Sequence, residues 1–162
     1  MYVPFLAALI PMVIGFIWYH PKVFGKAWMA ASGMTDEKMK SGKMALIFGL
    51  SYLLSLFVAV ALVFATIHQT HFFSILADNP EIKDPTSDLS QFIKGFMEKY
   101  GENFRTFKHG AFHGTLFGIL TAIPILGTNA LFERKSAKYV FINGGYWIVT
   151  MALMGGVICA FL

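Results

Sequence analysis

Residues 44–67 read MALIFGLSYLLSLFVAVALVFATI, a stretch without one charged side chain. A helix rises about 1.5 Å per residue and the hydrocarbon core of a bilayer is about 30 Å thick, so the stretch is long enough to cross a membrane. Lipid offers backbone amides no hydrogen-bonding partners, which favours a helix over any open strand. The stretch therefore predicts a transmembrane helix.

Three further apolar stretches complete a set of four predicted spans. The four spans cover residues 3–19, 44–67, 111–132 and 139–162. Prolines inside the first and third spans predict local kinks there. The sequence thus predicts a single all-α domain over residues 1–162, an integral membrane four-helix bundle.

The composition agrees with this class. The chain is 56% hydrophobic and 14% charged, whereas soluble domains are about 45–50% apolar and about 25% charged. A water-soluble fold of this size could not bury so much apolar surface. The single Cys159 lies in the last span, which excludes a disulfide framework or a Cys-x-x-Cys metal site.

The charged residues predict the topology. Residues 20–43 and 133–138 together hold eight Lys or Arg against three acidic residues, whereas the long link between the second and third spans holds five against six. Basic residues near helix ends mark cytoplasmic links. Both termini and the loop at 72–108 are therefore predicted on the outer side of the membrane.

Short interfacial helices are predicted in the first two links. The first link mixes cationic and large apolar groups, as a helix at the headgroup level would. Its interfacial motif consists of Trp18, Tyr19, Pro21, Phe24, Gly25 and Trp28. In the second link, apolar residues recur at helical spacing over about 88–100, between an N-cap at Ser87 and a stop at Gly101. We expect this amphipathic helix to cover the outer mouth of the bundle or lie on the lipid surface, or else to pack on its own loop.

Several strings in the chain resemble a known family. They are Trp18-Tyr19-His20-Pro21, Phe24-Gly25-Lys26-Ala27-Trp28, HGAFHG at 109–114, NALFER at 129–134 and NGGYW at 143–147. Together they resemble the bacterial membrane proteins grouped as domain of unknown function 1761, over nearly the whole chain. The resemblance implies a four-helix protein of the bacterial cytoplasmic (inner) membrane and carries no activity over to particular residues.

Four histidines bracket the long second link and form the candidate metal site. His68 and His71 are three residues apart at the end of the second span, and His109 and His113 are four apart at the start of the third. Each pair is expected on one helical face, and antiparallel packing would bring both pairs to one depth. Such a site suits zinc, copper or iron, or a bis-histidine haem. The alternative is that these interfacial histidines only bond loop backbone. No Glu follows His109, which excludes His-Glu-x-x-His zinc protease chemistry.

Small residues predict helix packing in the third span. Gly110, Gly114 and Gly118 form a double Gly-x-x-x-Gly pattern, which allows another helix backbone to approach closely. The partner is either a neighbouring helix, such as one presenting Gly155 and Gly156, or a second copy in a homodimer.

Polar residues inside the spans are candidates for interhelical hydrogen bonds or a small polar cavity. They are Ser51, Ser55, Asn129, Asn143, Tyr146 and Thr150. No Asp or Glu lies within a span, which argues against a proton-coupled pump and against paired-carboxylate catalysis.

Three functions stay open at this point. The first is a non-enzymatic bundle that acts by association, as a small homo-oligomer or as an accessory subunit of a larger membrane complex. The second is an outward-facing histidine site for a metal ion or haem. The third is a small solute carrier that uses the polar stripe of the fourth span. The bilayer is the expected partner. Nucleic acid is not, because the excess of basic residues lies at membrane boundaries, where it meets anionic lipid, and the aromatic residues suit an aromatic belt better than a base-stacking platform.

Overall fold

A computed structural model describes residues 2–162, and every regular element within them is helical. In chain order the helices are α1 (Val3–Ala7), α2 (Ile10–Trp18), α3 (Gly25–Ser32), α4 (Asp36–Lys40), α5 (Met44–Thr66), α6 (Gln69–Ser74), α7 (Asp88–Tyr100), α8 (Phe107–Phe117), α9 (Ile123–Phe132) and α10 (Ala137–Phe161). A 3₁₀ turn lies at Pro80–Lys83 and a π-helical turn at Gly118–Ala122. The absence of strands in residues 2–162 confirms the all-α prediction.

Three helices are long and apolar enough to cross a membrane. They are Met44–Thr66, Phe107–Phe132 and Ala137–Phe161. The second of these runs through α8, the π-helical turn and α9 without a break. Pro124 follows the π-helical turn and lacks the amide hydrogen that would bond the carbonyl of Leu120, so the irregular turn lies next to the missing bond.

The predicted first span differs from the other three. Val3–Trp18 is a shorter apolar helical segment, interrupted at Ala8 and Leu9 between α1 and α2. Pro11 has no amide hydrogen to bond the carbonyl of Ala7, which accounts for the interruption. At about 1.5 Å per residue the segment measures about 24 Å, less than the roughly 30 Å hydrocarbon core. A fourth crossing therefore remains a prediction.

Helix α10 lies at the centre of the fold. It packs against α1, α2, α3, α5, α8 and α9, and it is the most buried of the three long helices. The buried apolar core is formed by Val3, Ala7, Ala59, Leu62, Ile67, Ala122, Met151, Met154 and Ile158. The outer face of α5 carries exposed large apolar side chains along its whole length, as expected of a surface in contact with lipid.

The two basic links lie together at one end of the bundle. The Lys135 ammonium, between α9 and α10, donates to the backbone carbonyl of Ser32 at the end of α3, at 2.8 Å. The second link, with α6, the 3₁₀ turn and α7, joins α5 to α8 at the other end. There the Gln69 side chain donates to the carbonyls of Gly101 and Asn103, and the rings of Phe72 and Phe96 stack with centroids 4.8 Å apart.

Candidate metal centre

Glycines fix α8 against α10. A Cβ added at Gly110 would overlap the carbonyl of Gly155, and one at Gly114 would overlap the carbonyl of Met151. A Cβ at Gly118 would lie 2.8 Å from the Cα of Ile148. The stripe of small residues therefore faces a helix of the same chain, backbone against backbone. Gly156 contributes to the same interface, because its Cβ position lies 2.6 Å from the ring of Phe107.

The N-terminus of α8 places two histidines on one face. The hydroxyl of Thr106 accepts a hydrogen bond from the backbone N–H of His109 at 3.2 Å, and this cap starts the helix at Phe107. The start precedes the apolar run at Ala111, so the first turn of α8 carries His109. One turn later lies His113, and the two ring centroids are 4.5 Å apart.

The other histidine pair is not arranged as predicted. Helix α5 ends at Thr66, whose hydroxyl bonds the carbonyl of Leu62 within the last turn. Ile67 is extended, with φ −107° and ψ 95°, and His68 caps the separate helix α6. His68 and His71 therefore do not continue one face of α5. His71 is exposed on α6 and is not part of the group that His68 forms with His109 and His113.

His68, His109 and His113 form a compact group, here called the histidine triad. One ring nitrogen from each lies within 4.8 Å of the others, and the Nε2 atoms of His68 and His109 are 2.9 Å apart. The ring centroids of His68 and His113 are 4.9 Å apart. Within residues 2–162, no carboxylate oxygen or thiol sulfur lies within 4.8 Å of all three ring nitrogens. The candidate ligands are thus three imidazoles, which suit zinc, copper, iron and nickel.

Phe104 forms one wall of the triad. Its ring centroid lies 5.0 Å from that of His109 and 6.4 Å from that of His68. Its backbone has φ 64°, a left-handed conformation that bulky residues avoid at a cost of about 1–3 kcal/mol. The carbonyl of Phe104 accepts from the Cys159 thiol at 3.3 Å and from the Thr106 N–H at 2.8 Å. These contacts hold a strained residue beside the triad, and no local sequence pattern indicated it.

The polar candidates mostly serve as interhelical or intrahelical hydrogen bonds. The Tyr19 hydroxyl donates to Asn143 Oδ1 at 2.8 Å, and the Tyr146 hydroxyl donates to the carbonyl of Pro11 at 2.8 Å. The Ser55 hydroxyl bonds the carbonyl of Ser51, one turn earlier. Thr150 is fully buried and Asn129 is exposed. The structure therefore joins Asn143 and Tyr146 to the first helical segment and leaves Asn129 elsewhere, on a shallow groove with Thr128.

The aromatic motif of the first link packs on the first turns of α10. The Trp18 indole N–H donates to the carbonyl of Ile142 at 3.0 Å, and the Trp18 ring lies 4.6 Å from that of Phe24. Tyr19 contacts Trp28, with centroids 5.3 Å apart. A Cβ at Gly25 would overlap the carbonyl of Tyr19, while Pro21 is exposed. The motif lies with the basic links, at the end opposite the histidine triad.

Comparison with known proteins identifies a protein family. A family model described as "Protein of unknown function (DUF1761)" matches residues 3–159. No curated protein and no solved structure matches the chain.

Proposed function

This chain belongs to the family of proteins of unknown function called DUF1761, and we propose that it is an integral membrane protein that binds one transition-metal ion through the histidine triad. The observation that carries the proposal is the convergence of His68, His109 and His113. Each contributes one ring nitrogen, and these three atoms lie within 4.8 Å of one another. Two separate parts of the chain supply these groups, on either side of the long second link.

The ring nitrogens lie near the spacing that a single ion requires. Zinc binds imidazole nitrogen at about 2.0–2.1 Å in tetrahedral geometry, which sets the nitrogens a little over 3 Å apart. The 2.9 Å separation of the His68 and His109 Nε2 atoms is slightly below that value. The ring nitrogens of the whole triad are spread over as much as 4.8 Å, so a side-chain rotation must bring them closer together when an ion binds. Without an ion, one of the two Nε2 atoms must carry a hydrogen and the other a lone pair. A metal ion replaces that hydrogen as the group the two rings share.

An ion fits this arrangement better than a haem. A haem would have to place its flat ring system between two opposed imidazoles, whereas His68 and His109 are already in hydrogen-bond contact. Three neutral imidazoles leave the fourth tetrahedral position to water or an external ligand. His68 is exposed, so the position is reachable from outside the bundle.

Stoichiometric binding of cobalt is the expected result for the purified protein. After removal of bound metal by a chelator, detergent-solubilised protein should take up one Co²⁺ per chain and develop visible absorption bands typical of tetrahedral nitrogen coordination. Zn²⁺ should displace the Co²⁺ and remove the bands, because zinc is a d¹⁰ ion that takes tetrahedral coordination without ligand-field cost and has no visible d–d absorption. A protein that stays colourless and metal-free at excess Co²⁺ would rule the proposed function out.

We further propose four membrane crossings, with both termini and the histidine triad on the outer side of the bacterial inner membrane. The support is the charge distribution. The end that carries the first and third links has eight basic residues against three acidic ones, and the other end has five against six. Basic links are retained in the cytoplasm.

The orientation predicts which exposed link reacts with a membrane-impermeant thiol reagent in intact cells. Asp78→Cys should be labelled, whereas Lys38→Cys should be labelled only after the membrane is permeabilised. Both positions are exposed. The parent chain, whose Cys159 is buried, is the negative control for labelling. The reverse labelling pattern would overturn the outward assignment.

A further inference from the structure

Helix α7 carries two neighbouring apolar strips, and only one is covered. Leu89, Ile93 and Met97 are half-buried within the long link. The second strip consists of Phe92, Phe96 and Tyr100, which are 60%, 36% and 40% exposed. Their ring centroids follow one another at 6.1 and 5.0 Å, so they form one aromatic row. The loop therefore leaves much of the apolar face of α7 open.

The aromatic row continues to the surface of the second long helix, Phe107–Phe132. Phe104 is 65% exposed and lines a shallow groove together with Phe96 and Tyr100. It also contacts His109. On α8 the row reaches Phe112, which is 58% exposed and lies 5.5 Å from the His113 ring. Since α8 belongs to a helix long and apolar enough to cross a membrane, the uncovered strip is continuous with a surface that faces lipid.

The opposite face of α7 is polar. At about 100° per residue, Lys94 lies about 180° from the midpoint of Phe92 and Phe96. Lys94 and Glu98 are both exposed. Lys99, at the edge of the row, extends over the Tyr100 ring with its ammonium 5.1 Å from the centroid, as a side chain does when its stem covers apolar surface and its charge stays in water.

We propose that α7 is a membrane-surface helix whose row Phe92, Phe96, Tyr100 and Phe104 lies in the headgroup layer of the bilayer that holds the long helices. Aromatic rings favour this layer because one side is apolar and the other is wet. The long link holds five basic and six acidic residues, so burial of the rings and not net charge holds the helix on the lipid. The proposal depends on membrane insertion of the chain and is independent of metal binding.

Fluorescent labels on the two faces of α7 test the placement. The full chain is reconstituted in nanodiscs of phosphatidylcholine, with bimane attached to Phe92→Cys or Phe96→Cys, and with Lys94→Cys as the matched control on the opposite face. Brominated phosphatidylcholine should quench the labels at 92 and 96 at least about threefold more strongly than the label at 94, and aqueous iodide should give the reverse order. The parent chain, with only the buried Cys159, measures background labelling.

Two results would overturn the proposal. Equal iodide quenching at 92 and 94, with no effect of brominated lipid, would place the aromatic row in water. Protection of the label at 92 from both quenchers, together with crosslinking between labelled copies, would mean that a second chain covers the row. Either result can occur with or without Co²⁺ binding, so it is distinguishable from a failure of the proposed function.

Discussion

Replacement of His109 by alanine is expected to weaken Co²⁺ binding by at least about 100-fold. The imidazole of His109 is the central member of the histidine triad, with its Nε2 atom 2.9 Å from that of His68 and its ring 4.5 Å from that of His113. Loss of a residue that only supports a ligand costs about 10–100-fold in metal affinity, and loss of a ligand should cost more. The measurement is a competitive titration against a coloured chelator.

His71→Ala is the matched control. His71 is three residues from His68 but is exposed on α6 and lies outside the triad. Its replacement should leave Co²⁺ affinity unchanged and preserve the visible bands. If His71→Ala and His109→Ala weaken binding equally, the ion is bound by a different set of histidines. If neither weakens it, the metal lies elsewhere on the protein.

Gly114→Ala is expected to destabilise the bundle by about 2–3 kcal/mol, within the range measured for overpacked cores. The added methyl group would overlap the carbonyl of Met151. A backbone atom cannot move aside as a flexible side chain can, so α8 must separate from α10. For a chain of this size, such a loss corresponds to a fall of roughly 5–10 °C in Tm, which a thermal melt of the detergent-solubilised protein would detect.

Gly49→Ala makes the same chemical change at an open position. A Cβ at Gly49 meets nothing within 4 Å, and alanine is the better helix former by about 1 kcal/mol. The Tm should therefore stay constant or rise slightly. A drop in Tm as large as that of Gly114→Ala would show that the effect does not arise from the contact between α8 and α10.

Apolar length was enough to predict most of the fold from the sequence. Residues 44–67 and 139–162 correspond closely to Met44–Thr66 and Ala137–Phe161, because a long uncharged run has few alternatives to a helix. The first predicted span came out as two short helices, because Pro11 removes a backbone donor inside a run that is already short. A hydropathy average does not include the effect of a missing backbone hydrogen bond.

The candidate site was only partly predictable. The four-residue spacing of His109 and His113 was sufficient to place both side chains on one helical face, because both lie on one regular helix. The position of His71 could not be predicted, because α5 ends at Thr66 and the extended Ile67 turns the following residues into the separate helix α6. No charge or proline in the sequence marks that helix end. Phe104 could not be predicted to lie beside the triad, because its left-handed backbone is not encoded by a local pattern and its carbonyl accepts from Cys159, which lies far away in the chain.

The central position of α10 also bears on the order of events during synthesis. Helices α1, α2, α3, α5, α8 and α9 all pack on α10, yet all precede it in the chain. At roughly 5–20 residues per second, α5 emerges from the ribosome several seconds before its partner exists. The glycine face of α8 likewise has no partner until Ala137–Phe161 is synthesised. The contacts with α10 therefore form last, whereas those of α5 with α1, α2 and α8 can form before α10 is synthesised.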